Sequence, residues 1–174
     1  SPLIINAAIT GCVMKKTDNP RLPVTMDEIV DCVCRIKQAG ASIVHLHARD
    51  AEGNPTTDGS IYHELVSAVR EACPDIIVCT SLSGRHGEYV QRRSEALASR
   101  PDMASLTLGS MNFSTQTSVN SPQTICELAE RIQAAGAVAE LEVFEPGFVH
   151  YANYLIDKGV LKHTYYFNII LGSL

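Results

Sequence analysis

Two histidines separated by one residue, His45-Leu46-His47, lie inside the apolar, β-branched run 42–50. Residues i and i+2 of a strand face the same side, so the two imidazoles can share one divalent ion. Zinc takes imidazole nitrogen readily, and a catalytic zinc uses three protein ligands with one position left open. The competing reading is a pair of hydrogen-bonded histidines without metal, although two adjacent inward imidazoles lacking partners are costly to desolvate. Arg49 shares their side and could bind a substrate carboxylate or pair with Glu140 or Glu142. Those two glutamates also alternate onto one side of a run at 138–144. Neighbouring carboxylates repel unless one is protonated, paired or near a metal, which suits a general base or a support for a metal ligand. Ser81, Ser83, Gly84, Ser105 and Thr107 add hydroxyls and room for close backbone approach.

Other polar residues give weaker signals. Arg85 and His86 follow the run at 76–84 and could meet an anionic ligand, with a solvated loop as the plainer reading. Gln91-Arg92-Arg93 reads as an exposed helix face, and His63, His150 and His163 have no ligand-like spacing. The six cysteines form no CxxC; Cys32 and Cys34 fall in a helical pattern where i and i+2 do not face each other, so reduced thiols are expected. There is no GxGxxG, Walker A sequence or nucleophile elbow.

These residues need elements to position them. Candidate strands at 3–10, 42–50, 76–84, 103–112, 138–144 and 165–172 alternate with candidate helices near 26–39, 59–73, 87–99, 122–135 and 147–158. Thr25-Met26-Asp27-Glu28 predicts a capping box, after which Ile29, Val30, Val33 and Ile36 form one apolar face. Ser121-Pro122 predicts another helix start, and Gly40 and Gly136 suit helix ends. Strand starts recur roughly every 27–39 residues, the scale of a βα unit, which implies a parallel sheet covered by helices.

Parity then separates an open sheet from a barrel. Asn6, Ala8 and Thr10 share one side; so do His45, His47 and Arg49; Cys79, Ser81 and Ser83; Ser105, Thr107 and Gly109; and Glu140 and Glu142. A sheet covered by helices on both faces would be apolar on both. A small or polar face converging at the strand C-termini is what a (β/α)8 TIM barrel needs at its mouth. The expected fold is therefore α/β, a TIM barrel of which this chain supplies about the first six strands, as one domain over 1–174 incomplete at the C-terminus.

Composition narrows the function. Hydrophobic residues make up 45% and charged residues 19%, which favours a packed core over disorder. A net charge of −5 argues against a nucleic-acid partner, and no apolar run is long enough to span a bilayer. A cytoplasmic protein acting on small molecules is the expectation.

The runs Ile5-Asn6-Ala7-Ala8-Ile9-Thr10-Gly11, Asn19-Pro20-Arg21-Leu22-Pro23-Val24-Thr25, His45-Leu46-His47-Ala48-Arg49 and Leu108-Gly109-Ser110-Met111-Asn112-Phe113 resemble the β-keto acid cleavage enzymes. So do Glu140-Leu141-Glu142-Val143 with its flanks and Phe167-Asn168-Ile169-Ile170-Leu171-Gly172. That family includes the 3-keto-5-aminohexanoate cleavage enzyme. The resemblance implies a zinc-dependent TIM barrel, a homo-oligomer, that takes a β-keto acid and acetyl-CoA to acetoacetate and a new acyl-CoA. It implies His45 and His47 as zinc ligands, Ser81, Gly84 and Ser105 in the keto-acid site, and Glu142 in the catalytic cluster; their place on the same polar face adds Arg49 as a catalytic candidate and Thr107 as a substrate-binding one. Ser105 stands where the aminohexanoate enzyme has Thr, and Val13 where it has the Glu that receives the substrate amine, so a non-aminated keto acid is expected. The family's third zinc ligand comes from the end of the barrel, outside this chain, so activity of the chain by itself is doubtful. A metal-dependent aldolase or decarboxylase on the same scaffold, or a non-catalytic metal-binding fragment, are the alternative readings.

Overall fold

The computed structural model describes residues 3–85, 89–114 and 116–172. Six parallel strands form one sheet in chain order: β1 (Asn6–Ala8), β2 (Ile43–Leu46), β3 (Ile77–Thr80), β4 (Met103–Thr107), β7 (Val138–Val143) and β8 (Tyr166–Ile169). A short antiparallel hairpin, β5 (Met111–Asn112) with β6 (Thr117–Ser118), follows β4. The helices are α1 (Met26–Gln38), α2 (Gly59–Ala72), α3 (Val90–Arg93), α4 (Pro122–Ala134) and α5 (Pro146–Asp157). None of the described helices is long and apolar enough to cross a membrane.

The expected parity holds. Val44, Leu46, Val78, Ala104, Leu106, Leu141 and Val143 face the helices and join the main core with Ile29, Val33, Leu65, Val69, Ile125, Leu128 and Leu155. Full burial of such a side chain stabilises by roughly 1.5–3 kcal/mol, so this side carries the stability. The opposite side has a small apolar floor of Ile43, Cys79 and Met103, with Val138 and Tyr166 against it, and polar groups above.

Helix α1 begins as its sequence demands. The Thr25 hydroxyl accepts from the Glu28 amide at 3.3 Å, and the Glu28 carboxylate accepts from the Thr25 and Val24 amides at 3.1 and 2.9 Å. Lys16 donates to the other carboxylate oxygen. That lysine contact, then the two amides, lower the Glu28 pKa to about 2. A depressed carboxylate pKa adds stability above the unfolded value near 4.5 and loses it as pH falls toward 2. Urea titrations of wild type and Glu28→Gln should therefore differ at neutral pH, and the gap should shrink between pH 4.5 and 2.

Three boundaries depart from the sequence expectation. The strand expected at 103–112 stops at Thr107, because Asn120 donates from its side chain to Gly109 O (3.1 Å) and from its amide to Ser110 Oγ (2.8 Å), folding the chain back as a hairpin. Of the helix expected at 87–99, residues 87 and 88 lie outside the described residues, and the rest holds one short α-turn at Val90–Arg93 continued by a 3-10 turn at Ser94–Ser99. Arg93, expected on an exposed face, is 2% exposed: its guanidinium donates to Leu82 O and to Asn120 Oδ1. The strand expected at 3–10 pairs only over Asn6–Ala8, at the edge of the sheet. Cys34 on α1 and Cys73 after α2 bring their Sγ atoms to 3.0 Å as free thiols, as all six cysteines are.

Candidate active site

Glu140 is wholly buried on β7, and four donors converge on its carboxylate. Asn6 Nδ2 from β1 and Asn168 Nδ2 from β8 donate to Oε1 at 2.7 and 3.0 Å; His45 Nδ1 from β2 and the Cys79 thiol from β3 donate to Oε2 at 2.7 and 3.3 Å. Strands β1 and β8 are the two ends of the sheet, so one carboxylate gathers five strands and fixes the inward curl. Burial pushes the Glu140 pKa up, but the His45 hydrogen bond and charge more than offset it and hold the acid below its usual range. Burial likewise depresses His45, yet its bond to Glu140 and the charges of Glu140 and Glu142 bring it above its ordinary value.

His47 follows β2 on the same side. Its ring stacks on that of His45, with centroids 4.7 Å apart and planes 26° apart. Its Nδ1 is buried and has no hydrogen-bond partner among the described residues. Burial, then the positive charges of His45, Arg49 and Arg85, hold its pKa well below the ordinary value, so the ring is neutral with a lone pair to offer.

Both rings line a cavity of about 250 Å³ together with Ser81, Thr107, Glu142 and Arg85. Thr107 Oγ1 donates to Glu142 Oε2 at 2.5 Å. Burial raises the Glu142 pKa, against the opposing effects of the His45 charge and the Thr107 bond. Of the site residues singled out from sequence, His45, His47, Ser81, Ser83, Thr107 and Glu142 thus share one space. Arg49, Gly84 and Ser105 stand outside that lining. The Ser105 hydroxyl accepts from the Leu82 amide at 2.9 Å. Gly84 lies against Arg93: a Cβ there would be 2.7 Å from the guanidinium. Arg49 pairs with neither glutamate; it donates to the carbonyls of Gly11 (2.7 Å), Met14 (3.0 Å) and Gly53 (3.0 Å). Gly11 and Cys12 line the cavity, and the adjacent Val13 is exposed. His86 falls outside the described residues.

The residues fit a divalent metal. Glu140 takes His45 Nδ1 and so leaves Nε2 for a ligand, the arrangement by which carboxylates orient metal-binding histidines. The orphaned nitrogen of His47 supplies a second donor. His45, Cys79 and Glu140 also bring one potential ligand atom each within 4.8 Å of one another. Burial and then the Glu140 charge push the Cys79 thiol well above its ordinary pKa, so it stays protonated as a donor to Glu140. That trio is better described as the support behind the histidine pair than as the metal cage.

Sequence reasoning missed Asn168, Phe113 and the hub role of Glu140. Extending strand parity to the last strand would have turned Asn168 inward with Tyr166. Phe113 had no such signal, because it depends on the unforeseen hairpin.

The curled parallel sheet with polar residues at its C-terminal mouth defines a partial TIM barrel. Apo ObcA superposes with a TM-score of 0.76 over 87% of this chain and 36% of that one, at 24% identity, which establishes the shared fold. The sequence profile described as beta-keto acid cleavage enzyme matches residues 2–174, and the chain belongs to that family. It is 36% identical over 171 residues to the 3-keto-5-aminohexanoate cleavage enzyme of Fusobacterium nucleatum, covering 98% of this chain and 63% of that protein. It is 33% identical over 171 residues to the 3-oxoadipate:acetyl-CoA acetyltransferase of Cupriavidus necator, covering 98% and 60%. The chain thus spans about three-fifths of the length of these curated relatives.

Proposed function

We propose that this chain forms the metal- and keto-acid-binding part of an enzyme that converts a β-keto acid and acetyl-CoA to acetoacetate and an acyl-CoA. The observation that supports it most is the stacked histidine pair sharing a cavity with the Thr107–Glu142 pair, in a chain of this family. His45 and His47 would hold the ion, with zinc the best match to imidazole donors. When bound, zinc supplies Lewis-acid polarisation of the keto oxygen. Glu142, held by Thr107, accepts the proton whose removal makes the attacking carbon nucleophilic. Ser81 and Thr107 offer hydroxyls to the keto acid, and Gly84 and Ser105 shape the wall behind them. Arg49 enters the reading as a positioning residue for the Gly11–Met14 backbone. Val13 supports a non-aminated keto acid, since an ammonium beside it would find no counter-charge. A cytoplasmic homo-oligomer built on one barrel domain completes the proposal; free thiols at all six cysteines are in keeping with that compartment.

Two measurements on the intact enzyme test it. Metal analysis should find bound zinc in wild type and at least ten-fold weaker retention in His45→Ala and His47→Ala; equal zinc in all three rejects the site. A panel of β-keto acids should be consumed only when acetyl-CoA is present. Turnover indifferent to acetyl-CoA would instead favour the aldolase or decarboxylase reading.

A further inference from the structure

Two arginines of the neighbouring elements, Arg49 and Arg93, are occupied and do not line the cavity. Arg49 is spent on three backbone carbonyls, and Arg93 on Leu82 O and Asn120. Arg85 differs. Its guanidinium carbon lies over the Phe113 ring, 3.4 Å from the centroid, and it lines the cavity with both histidines and Glu142. It takes part in none of the ion pairs of the described residues, and no side-chain hydrogen bond is made by it there. The ring beneath is itself braced: Phe113 meets Phe144 edge-on at 5.6 Å, and Phe144 meets Phe148 at 6.4 Å. Stacking fixes the guanidinium plane and leaves its N–H edges free, and that planar fork matches a carboxylate in bidentate fashion.

We propose that Arg85, stacked on Phe113, is the carboxylate anchor of the cavity and a determinant of which keto acid it accepts. The carboxylate is either the C1 group of any β-keto acid or a second one at the far end of a diacid. This rests on the proposed function for the identity of the ligand, but binding can be read without turnover. Because the cleavage requires acetyl-CoA, a keto acid added alone to the zinc-loaded enzyme binds without reacting.

The test is calorimetry with a six-carbon β-keto monoacid and the six-carbon β-keto diacid, each without acetyl-CoA, on wild type, Arg85→Gln and Arg85→Lys. Arg85 makes no side-chain hydrogen bond or ion pair among the described residues, so the variants should lose little beyond the stacking on Phe113 and keep a Tm close to wild type. Arg85→Gln should raise Kd at least ten-fold, and Arg85→Lys should restore only part of it. Loss for both acids assigns the anchor to the C1 carboxylate; loss for the diacid alone assigns it to the remote group. Unchanged Kd for both acids, or a loss confined to coenzyme A, overturns the proposal. Arg85-dependent binding without acetyl-CoA-dependent turnover would remove the cleavage reading and leave the anchor standing, and turnover that ignores Arg85 would do the reverse.

Discussion

Glu140→Ala is expected to lower Tm by roughly 10 °C or more and to weaken zinc retention about 10–100-fold. The truncation strands four donors at once: the two half-buried asparagine amides and the buried Cys79 thiol and His45 Nδ1. Removing one partner of a buried charged pair costs about 3–5 kcal/mol, and a chain of this length loses roughly 2–4 °C per kcal/mol. Glu140→Gln keeps the shape and one acceptor, so it should retain part of the stability. Its metal affinity should still fall, since a neutral amide orients His45 less firmly. Thermal unfolding followed by circular dichroism, with zinc analysis of the same samples, checks both; a Glu140→Ala protein with wild-type Tm would mean the hub does not hold the sheet.

Arg49→Met should cost about 2–4 kcal/mol and reduce kcat/KM at least ten-fold in the intact enzyme. Burial lowers the Arg49 pKa, with no carboxylate bonded to it in compensation; its two terminal nitrogens donate instead to three backbone carbonyls. Two belong to the segment whose Gly11 and Cys12 wall the cavity, so loss of the clamp moves that wall. Lysine cannot replace it, because a point ammonium lacks the fork that spans both loops. A direct contact with substrate would give a different result: activity lost in Arg49→Lys with Tm unchanged. A fall in Tm accompanying the loss of activity identifies the clamp.

Much of this architecture could be read from local patterns. Alternation along short strands put His45, His47, Glu140 and Glu142 on one side, since the period of two is set by backbone geometry alone. The Thr25–Glu28 box was equally legible, because both partners lie within one turn. Pairings distant in sequence were harder. Arg49 had two acids within plausible reach and chose neither, because the Gly11–Met14 carbonyls sit closer than any sequence pattern reveals. Burial of Arg93 and the break after Thr107 share one cause, Asn120, which lies 27 residues from Arg93 and returns to cap two elements. Glu140 was expected as either base or support, and only three-dimensional closure of β1 toward β8 selects the supporting role.

The two sides of each strand also bear on how such a protein can change over generations. Residues facing the helices carry the stability, His45, His47 and Glu140 form the proposed metal site, and Val13, Arg85 and Phe113 lie on connecting loops. Exchanges at these three loop positions leave both the apolar layer and the carboxylate hub in place. With the proposed roles of these loop residues, ligand preference can drift by single mutations without passing through an unfolded ancestor.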